Sequence, residues 1–216
     1  MTTTWLQHNL VRLALHQVAD GTGRPLLLLH GLGETSPAEL PVWARPWVGP
    51  VYALDFTGHG QSTVPKGGGY TAEVLMGDAD IALAAIGPAT VVGRGLGAYV
   101  ALLIAGARPK LVQGAVLSDG PGLQGGGEGP TSNVLFTIDD DAPVPPDPWS
   151  LIELSRDVRP GDYATSFARQ ALQLSGVSWP LAVCTRWRPS WLDAVASQPG
   201  VLDVSLEEAV AFYRDL

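Results

Sequence analysis

An α/β fold, a doubly wound and mostly parallel sheet, is what the sequence predicts, and three observations predict it. Short apolar runs recur at 25–30, 51–55, 89–93, 112–117 and 181–184, near-continuous as in strands covered on both faces. Stretches with apolar residues at the helical period lie between them. Gly and Pro, 26 and 18 residues, fall between the runs and mark tight connections.

In chain order, the strand at 25–30 leads into an expected helix over 36–47, and the strand at 51–55 leads into a helix over 71–86. There Val74, Leu75, Ala79, Ala82, Leu83 and Ile86 return at the helical period. The strand at 89–93 feeds a helix over 96–107, and a further strand follows at 112–117. The segment 120–148 breaks this rhythm with a triple glycine, three aspartates at 139–141, and Pro143, Pro145, Pro146 and Pro148; it is expected to be an excursion. The aspartate triplet is expected to be a solvated loop, since nothing nearby supplies a metal's ligand spacing. Helices over 149–157 and 163–174 precede the strand at 181–184. A helix over 189–197, a final strand over 201–205 and a last helix over 206–216 complete the alternation, which belongs to α/β domains.

Composition narrows function. The 216 residues hold 13 Lys+Arg against 21 Asp+Glu, a formal charge of -8, and 46% are hydrophobic. This suits one soluble domain over 1–216 and disfavours nucleic acid, whose partners carry clustered basic faces. Cys184 is the single cysteine, so no intrachain disulfide is possible. The start Met-Thr-Thr-Thr-Trp has no basic and apolar leader, and no apolar run is long enough to span a bilayer. A cytoplasmic protein without membrane contact is expected.

Three motifs fall where loops leave the carboxyl ends of parallel strands. They are His30-Gly-Leu-Gly33, Asp55-Phe-Thr-Gly-His-Gly-Gln-Ser62 and Gly93-Arg-Gly-Leu-Gly97. The last lacks the G-x-G-x-x-G spacing of a dinucleotide site and the Gly-Lys-Ser/Thr of a P-loop, so no nucleotide cofactor is expected, and no metal. Trp43/Trp47 and Trp187/Trp191, each four apart, are expected to be packing or pocket walls.

Taken together, in this order and spacing, the motifs resemble those of the α/β-hydrolase superfamily, with its HG loop, D-x-x-G-x-G-x-S segment and G-x-S-x-G nucleophile elbow. The resemblance covers roughly residues 10–118 and the final strand and helix, and it implies that 120–178 is a short, reduced cap. It also implies an oxyanion site made by two backbone N–H groups, one from the loop after His30-Gly31, in the Leu32–Gly33 backbone, and one from Leu96 after the elbow.

The departures from that pattern bear on chemistry. The elbow position holds Gly95, which has no side chain to attack a carbonyl. All four histidines, His8, His16, His30 and His59, lie in the first third, so the late catalytic histidine is absent. Residues 204–208 run from final strand to helix without the loop that would carry it. The acid position after 181–184 is taken by Thr185-Arg-Trp-Arg-Pro.

Substitutes exist on paper. Cys184 is expected to be a buried strand residue, although Arg186 and Arg188 nearby leave open an activated thiol. Asp119 is expected to cap the turn after its strand, while His30 and His59 are expected to be structural hydrogen-bonders. Arg94, beside the elbow, is either a fixed cation for an anionic ligand or a plain surface arginine. The expected function is a non-catalytic module that binds a small carboxylate or acyl ligand, or a protein partner. Its site residues would be His30, Gly31, Leu32, Gly33, Arg94, Gly95, Leu96 and Asp119. The alternative is a divergent hydrolase or lyase using the oxyanion loop with Cys184 or Asp119. An ordered water, anion or ligand oxygen is expected between the Leu32–Gly33 backbone and the Leu96 N–H; the alternative is that Arg94, a tryptophan such as Trp187, or the 120–148 excursion fills that space and leaves a scaffold with no small-molecule site there.

Overall fold

A computed structural model describes residues 1–126 and 145–216. Among the described residues, eight strands form one sheet in the order β1-β2-β4-β3-β5-β6-β7-β8. These are β1 (Thr2–His8), β2 (Val11–Ala19), β3 (Leu26–Leu29), β4 (Val51–Leu54), β5 (Ala89–Arg94), β6 (Val112–Ser118), β7 (Leu181–Cys184) and β8 (Val201–Asp203). All neighbouring pairs from β4 to β8 are parallel; β1 with β2 and β2 with β4 are antiparallel.

The β1–β2 hairpin was not among the expected strands. Its turn is only Asn9-Leu10, with Asn9 at φ 52, a left-handed conformation that asparagine tolerates better than most residues. The aspartate triplet lies outside the described residues, as does most of the 120–148 excursion.

Period-2 alternation splits the sheet between two cores. Leu27, Leu29, Val91 and Leu117 face one side, where α1 (Ala72–Ile86), α2 (Leu96–Ala107), α4 (Gly161–Leu174) and α5 (Ser190–Ala196) supply the partners. Leu26, Leu28, Val92 and Val116 face the other, against α6 (Leu206–Arg214) and Trp47. Helix α2 is buried from Leu96 to Gly106, consistent with its near-uniform apolar sequence between β5, β6, α1 and α4. The stretch expected to be cap-like contains α3 (Pro148–Arg156) and then α4, which packs on α2 and α5 and so belongs to the helical layer. No helix among the described residues is long and apolar enough to cross a membrane.

The helix expected over 36–47 does not form. Only a 3-10 turn at Val42–Ala44 is present. Pro37, Pro41 and Pro46 remove backbone donors and clash with a preceding helical turn, and the Ser36 N–H is committed to Asp55 Oδ1 at 2.7 Å. The segment therefore stays open as a wall over the sheet end.

After β8 the chain enters α6 through Val204 alone. Ser205 is the N-cap, accepting from the Glu208 N–H while the Glu208 side chain returns to the Ser205 N–H. This reciprocal cap starts the helix at once. No loop remains there to present a base.

Candidate functional site

The strand order reverses around β3, whose neighbours are β4 and β5, so the loops after β3 and β5 diverge at a topological switch point. Beside them runs the loop after β6. Gly95, at φ 58 and ψ -117, makes the sharp turn from β5 into α2 and is its N-cap. The N–H groups of Leu32 and Leu96 converge as the motifs imply, but on an atom of the chain itself. Leu32 N–H donates to the Pro121 carbonyl at 3.0 Å and Leu96 N–H donates to the same oxygen at 2.9 Å.

The expected open anion site is thus filled from within. Buried N–H groups are costly when unpaired, and one backbone carbonyl satisfies the loop N–H of Leu32 and the helix-start N–H of Leu96 without charge. The Gly33 N–H turns elsewhere, to His59 Nε2 at 3.3 Å.

The inserted carbonyl is held on every side. Glycines flank it because neither neighbour has room for a side chain: a Cβ on Gly120 would lie 2.5 Å from Arg94 Cγ, and one on Gly122 2.6 Å from Leu32 Cβ. Arg159, buried over the Tyr99 ring, donates from Nη1 to the Gly122 and Leu123 carbonyls. Trp191 Nε1 donates to the Leu123 carbonyl at 2.9 Å. The same segment occupies the place of an elbow side chain. A Cβ on Gly95 would fall 2.6 Å from Gly120 C and closer still to the Pro121 oxygen.

The remaining candidate residues form a self-paired set. Arg94 Nε meets both Glu34 carboxylate oxygens at 3.0 Å, and its Nη1 donates to the Asp119 carbonyl. Glu34 in turn accepts the Gly31 N–H at 3.0 Å. Arg94 is therefore an exposed arginine whose charge is paired with Glu34. Asp119 does not cap its own turn but accepts the Arg186 N–H at 2.8 Å, joining β6 to the segment after β7.

His30 is spent as well. Its Nε2 accepts the Phe56 N–H at 3.1 Å, which leaves the proton on Nδ1 for the Gly31 carbonyl at 2.8 Å. Burial, with His59 beside it, pushes its pKa down to about 4. His59 donates to the Thr57 carbonyl and accepts from Gly33, and burial lowers its pKa too. Both rings are structural, as expected. Beneath them Asp55 is buried, yet donors from Gln61 N, Ser36 N and His16 Nε2 hold its carboxyl below the usual range.

Cys184 stands half-buried at the end of β7, with Sγ 3.5 Å from the Ser205 carbonyl. Burial, followed by the carboxylates of Asp203, Glu207, Glu208 and Asp119, pushes its thiol up to about 12. Its alkylation by iodoacetamide at pH 8 is expected to run on the order of a hundredfold slower than that of a free cysteine, the small thiolate fraction outweighing its higher intrinsic nucleophilicity. Mass spectrometry of the labelled protein checks this, and labelling at the free-thiol rate would restore Cys184 as a candidate nucleophile.

Beside the filled site, at the carboxyl ends of β3, β5, β6 and β7, lies a cavity of about 760 Å³. Leu28, Val92, Trp43, Cys184 and Leu206 wall it, all from the α6-side core. Arg94, Glu34 and Asp119 also line it. Of the tryptophans, Trp43 is a pocket wall and Trp47 and Trp191 are packed, while Trp187 is exposed in the turn before α5. Sequence reasoning missed Glu34, Pro121 and Arg159. The two glycines around Pro121 were the available signal.

The model of the alpha/beta hydrolase fold family matches residues 24–173. Among solved structures, the thioesterase domain from the curacin biosynthetic pathway aligns at TM-score 0.62 and 17% identity, over 100% of this chain and 98% of that one. The N-formylmaleamic acid deformylase of Pseudomonas putida S16 aligns at TM-score 0.59 and 14% identity, over 94% and 92%. ALR0039 of Nostoc sp PCC 7120 is 28% identical at TM-score 0.46, over 56% of this chain and 44% of that one. No curated protein matches.

Proposed function

The chain belongs to the α/β-hydrolase fold family, and from that membership we propose that it has given up the serine-histidine-acid chemistry and serves as a non-catalytic small-molecule-binding module. The observation that carries this reading is the Pro121 carbonyl, which takes both N–H groups of the oxyanion site and the room of a side chain at Gly95. A substrate carbonyl would have to displace it before any attack. Three further features support the reading. Gly95 offers no nucleophile, Ser205 caps α6 where a base-bearing loop would lie, and Cys184 stays a neutral thiol. The cavity supplies the binding half, since about 760 Å³ falls within the ~300–1,000 Å³ of small-molecule sites.

The test is covalent labelling by a fluorophosphonate, together with turnover of short p-nitrophenyl esters. No labelling and no turnover above background are expected. Stoichiometric labelling, or turnover abolished by a substitution at Asp119 or Cys184, would support a divergent hydrolase instead.

A further inference from the structure

We propose that the cavity on the α6 side of the sheet takes a small apolar molecule carrying a protonated amine, its body against the wall of Leu28, Val92 and Leu206 and its ammonium against Asp119. This rests on the reading of the protein as a binding module and names the ligand's chemistry.

The apolar part follows from the wall. Leu28 and Val92 rise from the sheet, Leu206 opens α6 and Trp43 closes the side left open where the 36–47 helix fails to form. Such a surface gains by excluding water and has a hydrocarbon or aromatic body as its complement.

The sign of the head group follows from the pairing on the lining. The one cation among the lining residues, Arg94, is committed to Glu34 and to the Asp119 carbonyl. His30 is neutral with both ring nitrogens used, and Ser118 Oγ donates to the Gly93 carbonyl at 2.9 Å. A carboxylate entering the cavity would lose its water and meet a guanidinium whose charge Glu34 already balances. Asp119 is differently placed. One of its oxygens accepts the Arg186 N–H, and the other carries no hydrogen bond among the described residues.

The surrounding charge has the same sign. Around the Cys184 end stand Asp203, Glu207 and Glu208, of which Asp203 is paired with Arg188; the exposed Arg186 is the other cation nearby. An ammonium can donate to the open Asp119 oxygen and is drawn by this field, whereas a neutral alcohol gains only the hydrogen bond.

Calorimetric titration at pH 7 with n-octylamine, n-octanol and n-octanoate separates these chemistries. Octylamine is expected to bind one per chain and at least tenfold more tightly than octanol, and octanoate at least tenfold more weakly than octanol. Asp119→Asn keeps an acceptor for the Arg186 N–H but removes the charge, and should bring octylamine within about threefold of octanol. Leu206→Trp, which fills the cavity, should weaken both by tenfold or more, with circular dichroism confirming that the variant is folded. The proposal is overturned if octanoate binds as well as octylamine, if none of the three binds, or if the amine preference survives Asp119→Asn. Failure of the non-catalytic reading would show separately, as labelling or turnover.

Discussion

Gly95→Ser is expected to lower the melting temperature by about 10 °C and to bring no ester hydrolysis. The backbone at φ 58 and ψ -117 is one that a residue with a Cβ adopts at a cost of about 1–3 kcal/mol. The side chain would also enter space held by Gly120 and the Pro121 carbonyl, so the inserted segment must retreat and surrender the hydrogen bonds from Leu32 and Leu96. Two such bonds are worth about 1–3 kcal/mol. The sum, roughly 4 kcal/mol, corresponds to ~10 °C for a chain of this size. Activity does not follow, because a serine without a base remains a protonated, weak nucleophile. Differential scanning calorimetry and ester turnover check both halves. A variant melting within 2 °C of the parent would mean that the Pro121 segment is loosely held. A gain of several decades in kcat/KM would reveal a hidden base elsewhere in the chain and overturn the reading that the missing late histidine leaves none.

Acidification is expected to weaken the fold between pH 6.5 and about 4, before most carboxylates protonate. His30 is neutral in the folded protein and has its pKa pushed down to about 4 by burial first and by neighbouring His59 second. Across that window the unfolded chain binds a proton that the folded chain refuses. Stability contributed by the neutral ring is therefore complete above pH 6.5, falls as pH drops toward 4 and is flat below it. The size is on the order of 3 kcal/mol for His30 alone, and His59, lowered by the same burial, adds in the same direction. Urea unfolding at stepped pH measures the slope. His30→Gln should flatten it in proportion, whereas an unchanged slope in that variant would assign the acid sensitivity elsewhere. Asp55 opens a second window at lower pH, since its depressed pKa sustains stability above the ordinary carboxylate range and loses it as pH falls through the folded value.

What could be read in advance followed local chemistry. The apolar runs placed β3 to β7 because strands covered on both faces leave few positions for polar residues. The hairpin at the start was missed because its turn, Asn9-Leu10, lacks the Asn-Gly or Asp-Gly signature and its strands mix polar with apolar residues. The helix expected over 36–47 does not form because Pro37, Pro41 and Pro46 interrupt it, leaving only the 3-10 turn at Val42–Ala44. The histidines of the HG loop and the Gly-His-Gly turn were read correctly as structural, since each ring's partners lie within its own or the neighbouring loop.

The sequence by itself determined that this chain resembles the α/β-hydrolases, that the elbow carries no nucleophilic side chain at Gly95, that the chain's four histidines all lie in its first third and that residues 204–208 run from the final strand into the last helix without a loop. Each of these is a matter of residue type and spacing. Only the tertiary structure decided what fills the vacated oxyanion site and where a cavity remains. The filling group is a backbone carbonyl, which every residue carries and no residue type announces. It is brought to Leu32 and Leu96 by Arg159 and Trp191, 36 and 68 positions from Leu123, the residue they hold in common. The cavity is likewise a sum of side chains from β3, β5, β7, α6 and the proline-broken segment before β4, meeting only once the sheet has formed.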